Sequence, residues 1–298
     1  MVKRSERKRR RKIFWLKVGG GVLAVAVIGL MTFLFARDIK VYDYTVETNA
    51  FFAPFEFYDN REIVGVDVEI INRVAEKLNA TIDIKNVEFD MIIDNVASGI
   101  IADAGAAGLT ITPARLEKVD FTIPYYTSVQ YVVFSPSNAP AVRDEHVTWD
   151  ALSGKTLGSQ MGGTGYLFAS DEVDEGVLAG TNTVIKGLDS HQLAADAIKA
   201  HIIDYAIADQ LAAQFIVTKN PGLVALPLYY RGDLIEEDYP VKESYAIAVN
   251  KQRPELLNAF NEVLEELLVV GPDNQSEMDK LILKYMNLNE EINNEGRG

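Results

Sequence analysis

The chain has 298 residues, with 29 Lys and Arg against 43 Asp and Glu, no cysteine and three histidines. The lack of cysteine excludes disulfides, thiolate metal sites and a lipid-modified N-terminal cysteine, and His146, His191 and His201 lack metal-ligand spacing. Residues 1–37 carry ten Lys and Arg and one acid, Glu6, so the remainder holds 19 basic and 42 acidic residues, a formal charge of −23 that repels nucleic acid.

Residues 1–12 form a basic stretch, expected to stay cytoplasmic. Residues 13–36 are apolar around Lys17 and Thr32. As a helix they extend about 36 Å, enough to span a bilayer. The expectation is therefore one N-terminal transmembrane helix, with everything after Arg37 outside the cytoplasm. A cleaved signal segment is the alternative. Against it, the apolar run is long for a signal, and Leu34-Phe35-Ala36 lacks a small residue two positions before the alanine.

From Lys40 onward, β-rich runs alternate with helical patterns, the mark of an α/β fold with parallel sheets and covering helices. Strands are expected at 41–47, 81–86, 102–107, 131–134, 156–159, 183–187, 204–208 and 245–249. Helices are expected at 67–78, 89–97, from Tyr166, and at 191–200, 254–269 and 278–285. The helix at 67–78 rests on Val68, Ile71, Val74, Ala75 and Leu78 at helical spacing. The tail after Asn287 is polar and expected to fray. Two successive α/β units with a late return segment point to two lobes.

Four features carry chemistry. Asn49 to Phe57 puts four phenylalanines into a Pro-containing loop leaving a strand's carboxyl end, which in α/β sheets faces the ligand crevice. Some of those rings pack the core; at least one is expected to stack on a ligand. In Gly108-Leu109-Thr110-Ile111-Thr112-Pro113-Ala114-Arg115, Thr112 can cap a helix and Pro113 fits its first turn. Free backbone N–H groups, a hydroxyl and Arg115 at one helix start suit a carboxylate, which Arg can grip with two parallel hydrogen bonds. Gln160-Met161-Gly162-Gly163-Thr164-Gly165 is a glycine-rich turn fit for an anion nest, but Tyr166 stands where a P-loop has lysine. Asp209, after the strand at 204–208, either meets a ligand ammonium or caps the next helix.

In this order, the features resemble the polar amino acid-binding proteins of ATP-driven uptake, solute-binding protein family 3. The resemblance spans about Tyr44 to Leu288. It is carried by Ala53-Pro54-Phe55-Glu56-Phe57, Gly65-Val66-Asp67-Val68, Ala107 through Phe121, Pro124-Tyr125-Tyr126, Gly163-Thr164-Gly165, Asp204 to Asp209 and Tyr245 to Val249. It implies a periplasmic-binding-protein type II fold, two Rossmann-like lobes joined by two crossing strands near 125–129 and 240–244. Lobe one is then 40–125 plus 245–288, lobe two 128–239, and 289–298 a polar tail.

The resemblance also implies roles. Arg115 binds an α-carboxylate with Thr110 and Thr164; Asp209 and the Gly108 carbonyl hold the α-ammonium; Phe52 and Phe89 sandwich the side chain. Some glutamine-binding relatives have lysine at Met161 and aspartate at Asn49. This chain's pocket should therefore be less charged and favour a neutral polar amino acid, with Glu56 the one acid available to a basic ligand. The implied function is amino acid capture by cleft closure and delivery to an ABC permease and ATPase, by a monomer with no cofactor. A membrane-anchored amino acid sensor is the alternative. A dehydratase-type enzyme on this fold is disfavoured, because no histidine is placed in the cleft and a general acid or base would be needed.

Overall fold

The computed structural model describes residues 41–232 and 237–295, with no side chain described for 293–295. Contacts separate a segment Met1–Tyr42 from a body Asp43–Gly298. The basic stretch at 1–12 and the expected span at 13–36 lie outside the described residues. Among those described, no helix is long and apolar enough to cross a membrane.

The first sheet runs in the order Ile82–Asn86, Tyr44–Thr48, Ala104–Gly105, Ala248–Val249, Asp120–Phe121. Its first three strands are parallel, and Ala248–Val249 is antiparallel to both its neighbours. The helix Val66–Leu78 covers this sheet because Val66, Val68, Ile70, Ile71 and Val74 fall on one face. Asn79 ends it in a left-handed conformation, with its N–H bonded back to the last carbonyls. Against it packs Pro254–Leu267, which starts at a proline and buries Leu256, Ala259, Phe260, Val263, Leu264 and Leu267. Each such Leu, Ile or Phe contributes roughly 1.5–3 kcal/mol on leaving water. That burial holds the first lobe together.

The second sheet has eight strands, built around Val184–Leu188, Thr156–Gln160, Tyr205–Asp209, Tyr126–Phe134 and Val224–Tyr230. Thr156–Gln160 is parallel to the strands on either side, and Tyr126–Phe134 is antiparallel to Tyr205–Asp209. Trp149, Leu152, Leu157, Leu178, Tyr205 and Leu228 fill the core of this lobe.

Two chain crossings join the lobes. Tyr126–Phe134 begins at the first lobe and ends inside the second sheet, and Lys242–Tyr245 pairs antiparallel with its start, Tyr245 opposite Tyr126 and Lys242 opposite Val129. The segment 245–249, expected as one strand, is two: Lys242–Tyr245 pairs at the crossing and Ala248–Val249 enters the first sheet. The break follows from the chain leaving one partner for another.

Two more expectations are corrected. The loop after the first strand is a small antiparallel sheet of Phe51–Phe52, Glu56–Asp59 and Glu62–Val64. The polar tail continues as helix: Glu277–Glu295 is one element, anchored by Met278, Leu281, Tyr285 and the buried Ile292. Ile292 sits two turns along the same helical face as Tyr285, so the apolar stripe extends past the point where composition turns polar.

Candidate functional site

The facing strand ends of the two lobes enclose a small, largely closed cavity. Asn49, Phe52, Phe89, Gly108, Thr110 and Arg115 line it from the first lobe, and Thr164 and Asp209 from the second. Met161 does not reach it. That side chain is 43% exposed and lines an adjoining space at the mouth.

Arg115 is placed by its helix start. The Thr112 hydroxyl accepts from the Arg115 backbone N–H at 3.3 Å, and Pro113 opens the helix Pro113–Lys118. The guanidinium is 7% exposed and donates to the Thr110 carbonyl at 2.7 Å and, across the cleft, to the Gly162 carbonyl at 2.8 Å. It lies 5.9 Å from the centre of the Phe89 ring. Burial lowers its pKa to about 10, opposed by the charges of Glu243 and Asp209, so it stays cationic at neutral pH.

Asp209 ends the strand Tyr205–Asp209 and occupies the cap position of Gln210–Lys219, yet its side chain makes no capping bond. It accepts instead from Gln130 Nε2. Burial raises its pKa well above the usual carboxylate range, and the nearby Glu243 charge raises it further.

Gly108 has φ +56°, and a Cβ there would sit 2.6 Å from the Phe52 ring. Only glycine meets both conditions. Phe52 in turn packs 5.5 Å from Phe55 and 5.9 Å from Tyr245. Gly162 repeats the logic between lobes: with φ +75°, a Cβ would come within 2.9 Å of the Asp90 backbone. The lobes also meet where Gln160 Nε2 donates to Asn49 Oδ1 at 3.2 Å, while Asn49 Nδ2 donates to the Val87 carbonyl.

Glu56, the acid named for a basic ligand, is elsewhere. It is wholly buried beneath the cleft with neither carboxyl oxygen hydrogen-bonded, beside Asp67. Asp67 accepts from Tyr125 Oη at 2.7 Å and from the Gly108 N–H at 3.1 Å, so it braces the Gly108 turn from below. Its pKa is raised to about 6 by burial, against the lowering effect of those bonds.

Sequence reasoning missed three groups. The first is Glu243 on the crossing strand Lys242–Tyr245. It accepts from Thr110 Oγ1 at 2.6 Å, from Thr164 Oγ1, and from Gln130 Nε2 at 2.6 Å, so it gathers groups from both lobes. The second is His191, placed outside the cleft on sequence grounds but found in the cavity wall, 6.0 Å from the Phe52 ring. Its Nδ1 is buried without a partner, and burial lowers its pKa to about 4. The third is the mouth itself, lined by Glu88, Asp90 and Asp189. His191, Glu88 and Asp189 all follow strand carboxyl ends, so the rule that singled out Asp209 applies to them too.

The family model described as bacterial extracellular solute-binding proteins, family 3, matches residues 44–287. The chain belongs to this family. Among its relatives, the arginine-binding extracellular protein ArtP of Bacillus subtilis is 28% identical over 241 residues, 80% of this chain and 84% of that protein. A probable histidine-binding protein of Campylobacter jejuni is 29% identical over 234 residues, 78% of this chain and 81% of that protein. Among solved structures, the amino acid ABC transporter substrate-binding protein AbpA of Streptococcus pneumoniae, bound to L-arginine, superposes with a TM-score of 0.68. It is 25% identical, covering 82% of this chain and 94% of that one. The two-lobed α/β architecture is thus that of the solute-binding family.

Proposed function

We propose that this family 3 protein captures a free L-amino acid between its lobes, outside the cytoplasm, and hands it to an ABC permease and ATPase. The observation that carries the reading is one buried cationic group and one buried acidic group facing a common cavity from different lobes. Arg115 takes the α-carboxylate, joined by Thr110 and Thr164 once their hydroxyls turn from Glu243 to the ligand, and Asp209 with the Gly108 carbonyl takes the α-ammonium. Phe52 and Phe89 flank the side chain.

A zwitterion carries its two charges on one carbon, so neither lobe alone satisfies it. Leaving either Arg115 or Asp209 buried without a partner is costly, and closure around the ligand removes that cost. The ligand thereby favours the closed state by differential binding. A micromolar Kd, about −8 kcal/mol, suffices for scavenging. The lobes fall at 40–125 with 245–288 and at 128–239, and the segment 13–36 tethers a monomer to the membrane. No residue is given a catalytic role.

The side chain is open to two readings. Asn49 supports a neutral polar ligand, but Met161, the other ground for it, lies at the mouth rather than in the cavity. The names of the relatives, arginine- and histidine-binding proteins, favour a basic one. A thermal-shift screen of the full chain against the twenty amino acids tests the function. A Tm rise with at least one supports it, and no rise with any sinks it.

A further inference from the structure

Thr110 and Thr164 bring one hydroxyl from each lobe to the cavity wall, and both hydroxyls are already committed. They donate to the same oxygen, Oε2 of Glu243, Thr110 at 2.6 Å. Glu243 Oε1 accepts from Gln130 Nε2 at 2.6 Å, and that amide also donates to Asp209. Glu243 is 4% exposed, and Gln130, Thr110 and Thr164 are buried with it. A hydroxyl has one proton to donate. While that proton goes to Glu243, it cannot go to a ligand carboxylate.

The backbone that carries Glu243 is the crossing between the lobes. Its strand lies against the other crossing strand, with Glu243 opposite Ser128. On the first-lobe side, Thr110 bridges to Tyr245, and the Ile111 N–H donates to the Ser244 carbonyl at 3.4 Å. Glu243 is not part of the cavity wall; it borders a separate space with Lys242, Ser244 and Phe168. From there it holds both hydroxyls from outside the cavity. Its charge also acts on Arg115, whose guanidinium donates to the Thr110 and Gly162 carbonyls instead. Glu243 thus offers the two threonines what a ligand α-carboxylate would offer them: a charged acceptor within reach of both lobes.

We infer that Glu243 is an internal competitor for the ligand's α-carboxylate, giving up the Thr110 and Thr164 hydroxyls on capture and taking them back on release. The ligand then exchanges two hydrogen bonds rather than adding two, and the buried Glu243 carboxylate keeps only Gln130 in the bound protein. Both effects hold the affinity down. They also favour delivery, because the acceptor that displaces the ligand stands at the crossing whenever the lobes part. The inference rests on the zwitterion clamp of Arg115 and Asp209, and adds to it the group that sets its strength.

The test is titration calorimetry of the full chain with the twenty L-amino acids, comparing wild type with Glu243→Gln, which keeps the shape and removes the charge. Hydrogen bonds to a charged acceptor are roughly twice as strong as neutral ones, so the variant should bind the same amino acids about tenfold tighter. A purely structural Glu243 would give equal or weaker binding. The paired variant Thr110→Val, Thr164→Val separates hydroxyl exchange from simple loss of charge. It should weaken binding less than about threefold with Glu243 present, where the bonds are exchanged, and about tenfold in the Glu243→Gln background, where they are gained. Glu243→Met, which removes the acceptor altogether, should show the same tightening if Glu243→Gln does not fold, and circular dichroism checks each variant. A folded Glu243 variant that binds no tighter than wild type, or an equal effect of the threonine pair in both backgrounds, overturns the inference and leaves the clamp standing. If no amino acid binds the wild type or any variant, the clamp itself falls and the inference with it.

Discussion

Replacing Arg115 with lysine keeps the charge and removes the fork. In the structure two of the five guanidinium N–H groups are committed, one to the Thr110 carbonyl and one to the Gly162 carbonyl. Three remain for a ligand carboxylate, enough for two parallel bonds. A lysine ammonium has three donors, so satisfying the same two carbonyls leaves one. The substitution therefore costs about one charge-assisted hydrogen bond, roughly 1.5–3 kcal/mol, or about 10- to 150-fold in Kd. Arg115→Ala should do worse, because a ligand carboxylate would then be buried without a counter-charge. Isothermal titration with the tightest-binding amino acid measures both, and circular dichroism checks the fold. A lysine variant within threefold of wild type would refute the donor count, and with it the assignment of Arg115 to the carboxylate.

Other outcomes are equally specific. The raised pKa of Asp67, about 6 against 3.8, means the folded state binds a proton that the unfolded state releases more easily. That contribution to stability is whole below pH 3.8 and is lost as pH rises through 6, about 3 kcal/mol in all. Chemical denaturation of wild type and Asp67→Asn should thus give a stability difference, wild type minus variant, that falls between pH 4 and 7; a flat or rising difference contradicts it. Gly108→Ala forces a left-handed alanine, about 1–2 kcal/mol, against Phe52, and should lower Tm by roughly 2–8 °C while weakening ligand binding. Unaltered binding would mean Phe52 is not held for the ligand. Burial raises the Asp209 pKa and the Glu243 charge adds to it, so Glu243→Gln should make Asp209 titrate at lower pH by carbon-13 NMR, and an unchanged midpoint would deny their proximity.

The strand ends and the helix starts were legible because local chemistry sets them. Thr112 and Pro113 specify a helix start, and the burial pattern of Val66–Leu78 follows its period. Arg115, Thr110, Thr164 and Asp209 were placed together by family resemblance, and all four line one cavity. Glu243 was hidden because an acid reads as surface; only its alternation with Val241 and Tyr245, both buried, marks it as facing inward on the crossing strand. His191 was hidden by its own helix, where the first residue looks like any polar N-terminal position. Only the fold shows that this helix start faces Phe52 across the cleft. Glu56 misled for the converse reason. It adjoins the phenylalanine-rich segment in sequence, but the strand start is buried on both faces, which sets Glu56 beside Asp67 and out of the cavity lining.

In the proposed clamp, one ligand carbon must present both charges to Arg115 and Asp209 at once. Calorimetry of the full chain with the best-bound amino acid, its decarboxylated amine and its N-acetyl derivative tests this separately from side-chain choice. Each truncated analogue should bind at least about a hundredfold more weakly, since each leaves one buried charge unmatched. An amine or N-acetyl compound bound within a few-fold of the parent amino acid would contradict it.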